Sequence, residues 1–236
     1  KEAEAKTEQL KRLSAQSVAR DAKIKMLRYQ LNPHFLCNTL NAINSLIESE
    51  LAEKAQRMTV QLSKFLRYSL DNDPDTKIEL EFELKALELY LEIEKTRFGE
   101  RLQLDFEISE AAKSALIPSL LLQPIIENSM KHVIAQNEEG GIISLWADVT
   151  DNMLVLELSD TGCGKGVDRN KIKSKTGRGV GLRNIDERLK VLYTDNYAFI
   201  INVKPSGGLK TTIKLPLESQ DEPDIVNQAY NSMKVS

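Results

Sequence analysis

The tightest constraint on this chain is a proline set into a helical repeat. Leu10, Leu13, Ser17, Arg20, Ile24, Leu27 and Leu31 recur at alternating spacings of three and four, the pattern of a two-stranded coiled-coil seam that two polar residues weaken. Pro33 removes a helical hydrogen bond and kinks the helix, so the register changes beyond it. Downstream, Leu36, Leu40, Ile43 and Ile47 make an apolar stripe. His34, Asn38, Asn41 and Ser45 fall on a polar stripe about 200° away at roughly 100° per residue, which turns His34 outward. A second amphipathic helix, with Met58, Leu62, Phe65 and Leu66 inward, returns antiparallel and stops at Asp71-Asn72-Asp73-Pro74. One hairpin cannot cover both stripes, whereas two can as a four-helix bundle, so the pattern predicts a homodimer.

After the hairpin the period changes. Leu84, Leu87, Leu91 and Phe98 keep helical spacing, then Leu102, Leu104, Phe106 and Ile108 alternate as a strand does. An apolar helix is predicted from about Pro118 to Ala135, strands near 142–149 and 153–159, and a glycine-rich loop over 160–181. A helix carrying Leu182, Ile185, Leu189 and Leu192 follows, then strands near 198–203 and 209–217. Helices against one face of a mixed sheet make an α+β sandwich. The expected organisation is a coiled-coil signalling helix over 1–27, a helical hairpin over 28–73, an α/β sandwich domain over 74–217 and a polar tail over 218–236.

Composition narrows the function classes. A net charge of −3 leaves no electrostatic footprint for nucleic acid. Cys37 and Cys163 lie far apart without metal-ligand spacing and read as free thiols of a reducing compartment, the cytoplasm. No apolar run approaches the roughly 18 residues that cross a bilayer, and the opening at Lys1, already helical in character, reads as a piece of a longer protein whose sensor or membrane segment lies upstream.

Four constellations carry chemistry. In GlnLeuAsnProHisPheLeuCysAsn, residues 30–38, an outward imidazole can accept a phosphoryl group, although a solitary surface histidine can equally be a solvated bystander. Glu127, Asn128, Lys131 and His132 lie within two helical turns; the Asn128 oxygen suits Mg²⁺ and the cations suit phosphate, or else they complement a helix C-terminus. Asp160 at a strand end can accept from an exocyclic amine while Gly162 and Gly164 let backbone approach a ring, or the same residues make a glycine-rich turn. Gly177, Gly179 and Gly181, followed by Leu182, open a helix whose N-terminus can face phosphate, in a context that is neither a dinucleotide fingerprint nor a P-loop.

In order and spacing these elements resemble the LytS-like sensor histidine kinases. Over about residues 25–217 the resemblance includes LeuSerLysPheLeuArgTyrSerLeu at 62–70, TyrLeuGluIleGluLysThrArgPhe at 90–98 and IleProSerLeuLeuLeuGlnProIleIleGluAsn at 117–128. It implies a Bergerat-type ATPase domain of the gyrase/histidine-kinase/MutL superfamily with ATP and Mg²⁺ as cofactors. It also implies a response-regulator receiver domain as partner and a bacterial, membrane-anchored parent protein with this portion in the cytoplasm. By the same resemblance His34 is the phospho-acceptor, Asn128 the Mg²⁺ ligand of the N box, Asp160 the adenine contact of the G1 box, and Gly177, Gly179 and Gly181 the glycines of the G2 lid. Four departures stand out: Cys37 for Phe, Thr161 for Asn, Val133 for Gly, and Leu209 where the last strand usually carries Thr, with Thr211 and Thr212 as weak substitutes. Phe35 follows the acceptor where many histidine kinases place an acidic base, which leaves Glu127 as a candidate base. The alternatives are an ATP-binding pseudokinase or dimeric signalling module without autophosphorylation, and a serine kinase on the same ATPase fold, against which the hairpin bearing His34 argues.

Overall fold

The computed structural model describes residues 33–71, 76–162 and 180–219. The coiled-coil seam, Gly164, Gly177, Gly179 and the tail beyond residue 219 lie outside them. The chain divides into two compact units, with the boundary between Asn72 and Asp73.

In the first unit, α1 (Pro33–Glu48) and α2 (Ala52–Asp71) form a hairpin. The turn has no glycine; Glu50 takes the left-handed conformation at φ 59° instead, and the N–H groups of Glu50 and Leu51 return to the carbonyls of Ile47 and Leu46. That double closure satisfies the last helical carbonyls. Phe35 and Thr39 are the buried residues of α1, facing Ala55, Met58, Leu62, Phe65 and Ser69 of α2. Within this single hairpin the aliphatic stripe is left partly uncovered, Leu40 and Ile47 being 57% and 59% exposed. The contact face of α1 is set by the edge-to-face pair of Phe35 with Phe65, centroids 5.4 Å apart. Thr39 enters the contact at no polar cost because its hydroxyl donates to the Phe35 carbonyl at 2.8 Å. His34, one residue from the buried ring, is exposed.

The second unit opens with β1 (Lys77–Glu79) and α3 (Leu80–Phe98), followed by a 3-10 turn at Gly99–Arg101 and β2 (Leu102–Ile108). Then come the single turn α4 (Glu110–Lys113), β3 (Leu116–Pro118), α5 (Gln123–Ser129) and a π-helical turn at Met130–Ile134. The unit is completed by β4 (Gly141–Thr150), β5 (Met153–Asp160), α6 (Val180–Tyr193), β6 (Ala198–Val203) and β7 (Leu209–Pro216). The five main strands lie in the order β2-β4-β5-β7-β6; β2 and β4 run parallel and every other pair is antiparallel. A two-stranded ladder of β1 and β3 stands apart from them. The result is an α+β fold with a mixed sheet whose core face carries Ile143, Leu145 and Ala147 of β4 and Leu154, Leu156 and Leu158 of β5. Alternation sends the next residue in that series, Asp160, into the same buried layer.

Two segments differ from the periodicity reading. The short strands β1 and β3 were not foreseen, because three residues are too few to show a period. The helix expected from Pro118 begins only at Gln123, since Pro118 pairs with Lys77 in the ladder and Leu120 has φ 57°. Glu83, 2% exposed on the inner side of α3, holds this irregular stretch by accepting from the N–H groups of Leu120 at 2.8 Å and Leu122 at 3.2 Å. Glu83→Ala leaves two buried donors without that acceptor and should cost about 2 to 5 kcal/mol in urea unfolding of this unit, and Glu83→Gln less. A loss below about 1 kcal/mol would show that the turn finds other acceptors.

Candidate functional site

Asp160 is the centre of the site. Placed by strand alternation at the end of β5 and only 3% exposed, its side chain would be costly without partners. Ser129 Oγ donates to Oδ2 at 2.8 Å, while the backbone N–H groups of Gly162 and Leu209 donate to Oδ1 at 3.1 and 3.0 Å. One carboxylate thus joins α5, the loop after β5 and the start of β7. Three donors leave acceptor capacity on a group with about four lone-pair sites, so an amine of a bound ring can still be received.

Glycine permits this convergence at two positions. Gly208 has φ +80°, and a Cβ there would collide with the Asp160 backbone and carboxylate. At Gly162 a Cβ would press on Val133, Asp160 and Gly208. Val133 itself is buried, its methyl groups packed towards Gly141 and Gly162, so the branched residue fills the floor beside Asp160. Thr161 also has a structural occupation: its N–H donates to the Ile142 carbonyl at 3.1 Å and its Oγ1 accepts from the Ile142 N–H at 2.8 Å, which prolongs the β4–β5 ladder. At Leu209 the backbone N–H, rather than a side chain, serves Asp160. Thr212 points to the other face and donates to Glu157 at 3.4 Å, whereas Thr211 is buried on the core face.

On α5, Gln123 Nε2 donates to Glu127 Oε1 at 2.8 Å, and Asn128 is half-buried. Lys131 and His132 stand exposed on the π turn, where the Ala135 N–H reaches back five residues to the Met130 carbonyl at 2.9 Å. The wider turn changes the angular relation between these cations and Asn128 from that of a continuous α-helix. Gly181, in the first turn of α6, lies against Pro124 of α5, and Leu182 is half-buried beside it. Arg188 of α6 donates to the Ser119 carbonyl at 2.7 Å, tying the helix to the turn before α5. The second unit therefore ties the helix of Glu127 and Asn128 to Asp160 through Ser129 and to Gly181 through Pro124, with Gly162 donating to Asp160. His34 belongs to the other unit, where the Asn38 Nδ2 lies 3.1 Å from its Nδ1 and 3.3 Å from its Nε2.

Ser129 and Glu83 escaped the sequence reading. Each is a polar residue at a position where helical spacing calls for an apolar one, Ser129 after Ile125 and Ile126 and Glu83 ahead of Leu87 and Tyr90. That misfit was the available signal. The same face of α3 carries Glu94, whose carboxyl burial raises in pKa against the opposing Arg97 guanidinium, and Tyr90, which burial pushes well above its ordinary range.

The histidine kinase family description matches residues 22–102. The chain is 30% identical over 215 residues to the sensor protein LytS of Enterococcus faecalis, an alignment covering 89% of this chain and 36% of that one. The chain belongs to the LytS-like sensor histidine kinases. The LytS of Staphylococcus epidermidis strain RP62A is 32% identical over 220 residues, with 90% of this chain and 36% of that one covered. The sensor histidine kinase YpdA of Escherichia coli is 34% identical over 179 residues, covering 75% and 31%. This LytS-like chain thus spans about a third of the length of these relatives. Among solved structures, the histidine kinase domain of a blue-light activated kinase from Erythrobacter litoralis is similar at TM-score 0.46 and 15% identity, covering 86% of this chain and 94% of that one. Among the described residues no helix is long and apolar enough to cross a membrane.

Partial burial is the main cause that holds the His132 imidazole below its ordinary pKa of 6.5; the Lys131 charge adds to it and Asp160 opposes it. In an NMR titration His132 should therefore lose its proton below pH 6.5. Lys131→Met should raise the midpoint part of the way and Asp160→Asn should lower it. Because the folded pKa is the lower one, this group stabilises the fold above pH 6.5, and that contribution is lost as pH falls through the folded value. A midpoint above 6.5 would contradict the assigned causes.

Proposed function

We propose that this chain is the kinase portion of a two-component sensor: it transfers the γ-phosphoryl group of Mg-ATP to His34 and then to an aspartate on a response-regulator receiver domain. The observation that carries the reading is the Ser129–Asp160 hydrogen bond, which locks the helix of Asn128 to the strand end that receives a purine amine. Asp160 takes the adenine amine, with Gly162 and Gly164 beside the ring. Lys131 and His132 face phosphate oxygens, and Gly177, Gly179, Gly181 and Leu182 form the lid.

Asn128 suits the metal. No three His, Cys, Asp or Glu side chains cluster among the described residues, and Mg²⁺ characteristically takes few protein ligands, with phosphate and water completing its shell. When bound, it would neutralise charge developing on the transferred group. The residues of the chain do the rest by positioning. A ring nitrogen of His34 forms the N–P bond as the bond between the γ-phosphorus and the β–γ bridging oxygen breaks and ADP leaves, and the ring proton passes to a base. Phe35 cannot take it, because its hydrocarbon ring has no basic atom, and Glu127 is the candidate.

The hairpin is proposed as a dimerisation and phosphotransfer domain over 28–73, paired as a four-helix bundle. Exposed Leu40 and Ile47 support this, because in one hairpin they have no apolar cover within the contact of α1 and α2. A coiled-coil signalling helix over 1–27, an ATP-binding domain over 74–217 and a tail over 218–236 complete the proposed organisation, the cytoplasmic part of a membrane-anchored protein. Incubation with γ-labelled Mg-ATP tests the function. Acid-labile, alkali-stable label that disappears in His34→Gln is the expected result. Acid-stable label would indicate a serine kinase, and intact ATP binding without label a pseudokinase.

A further inference from the structure

The stretch from Tyr90 to Phe98 and the turn after it have no part in the transfer just described, yet they touch the candidate nucleotide helix. Gly99, at φ 57°, reverses the chain after α3 and brings Arg101 to the segment that follows α5. There Arg101 Nη2 donates to the carbonyls of Ile134 at 2.9 Å and Asn137 at 2.6 Å. Ile134 is the last residue of the π turn that bears Lys131 and His132, and Asn137 lies three residues beyond it. A cation at a helix C-terminus meets the negative end of the dipole, and a guanidinium can serve two carbonyls in fixed geometry where an ammonium is a point charge.

Arg101 is itself held. The Phe98 ring lies 5.5 Å from its guanidinium and 5.0 Å from that of Arg97. Arg97 Nη1 in turn pairs at 2.6 Å with Glu94, whose side chain is 3% exposed. The loop beyond the π turn rests directly on the same residue, since a Cβ at Gly140 would collide with the Arg101 carbonyl. A buried carboxylate, two guanidiniums and an aromatic ring thus form a continuous support ending on the helix carbonyls.

We propose that Arg101 is a positioning residue of the nucleotide site, fixing the π turn so that Lys131 and His132 are held where the phosphates of ATP bind. The inference rests on the reading of α5 as the nucleotide helix. An unsupported π turn can relax towards α-helical winding, which rotates both cations away from their places.

The test is calorimetric titration of Mg-ATP into wild-type protein and into Arg101→Met, Arg101→Lys and Ile213→Val. The last is a core truncation in β7 that lowers stability and removes no hydrogen bond to the π turn. Arg101→Met should bind about tenfold more weakly and Arg101→Lys by an intermediate amount, with Ile213→Val within about twofold of wild type. NMR resonances of the His132 ring should move in Arg101→Met before nucleotide is added. If Arg101→Met fails to fold, Arg101→Lys carries the comparison. Wild-type affinity in both Arg101 variants, or equal losses in these and Ile213→Val, overturns the inference. Wild-type protein that binds no Mg-ATP overturns the nucleotide reading and this inference with it.

Discussion

The buried side chain of Asp160 is the constraint on which the second unit depends. A carboxylate in the core layer of a sheet is tolerated only with hydrogen-bond donors around it, and here they come from three separate segments: Ser129 of α5, Gly162 after β5 and Leu209 at the start of β7. Satisfying one group therefore fixes the position of the helix carrying Asn128 against the sheet. The left-handed backbone at Gly208 and the close contact at Gly162 follow from the same requirement, as side chains there would occupy the space of the bonds. A candidate site assembled in this way is organised before any ligand arrives, which is how binding energy is conserved for positioning.

The helical layer adds a second tier of polar support. Glu83 holds the turn before α5, and Arg101 holds the carbonyls after it; both belong to the segment between the hairpin and the sheet. One helix and its following turn thus brace the candidate nucleotide helix at both ends. Buried charges are a costly way to build a core, and their value here is geometric: each fixes irregular backbone that apolar packing would leave unsatisfied.

Much of this was legible in the sequence because period and burial coincide. The strands at 102–108, 142–149 and 153–159 followed directly from residue order, as did the buried positions Met58, Leu62 and Phe65 of α2, although Leu104 within the first strand is exposed. Legibility failed where one polar or aromatic contact outweighed the pattern. The contact face of α1 within its own hairpin is set by Phe35 against Phe65, and Glu83 holds a non-helical stretch of residues that read as the start of a helix. At the site, the four constellations named residue types but not partners. That Ser129 would meet Asp160, 31 residues away, is a consequence of the parallel and antiparallel registers of the sheet, which no local pattern encodes. The departures Thr161, Val133 and Leu209 likewise acquire their meaning only in place, as a ladder extension, a packed floor and a backbone donor.

The most direct test of this account is the Mg-ATP affinity of Ser129→Ala, which removes one donor while leaving Asp160 in the site. If the serine aligns the nucleotide helix with the adenine contact, calorimetry should show about a tenfold weaker dissociation constant, the size expected for a hydrogen bond to a charged group worth ~1.4 kcal/mol or more. Wild-type affinity in Ser129→Ala would contradict the claim that this bond organises the site.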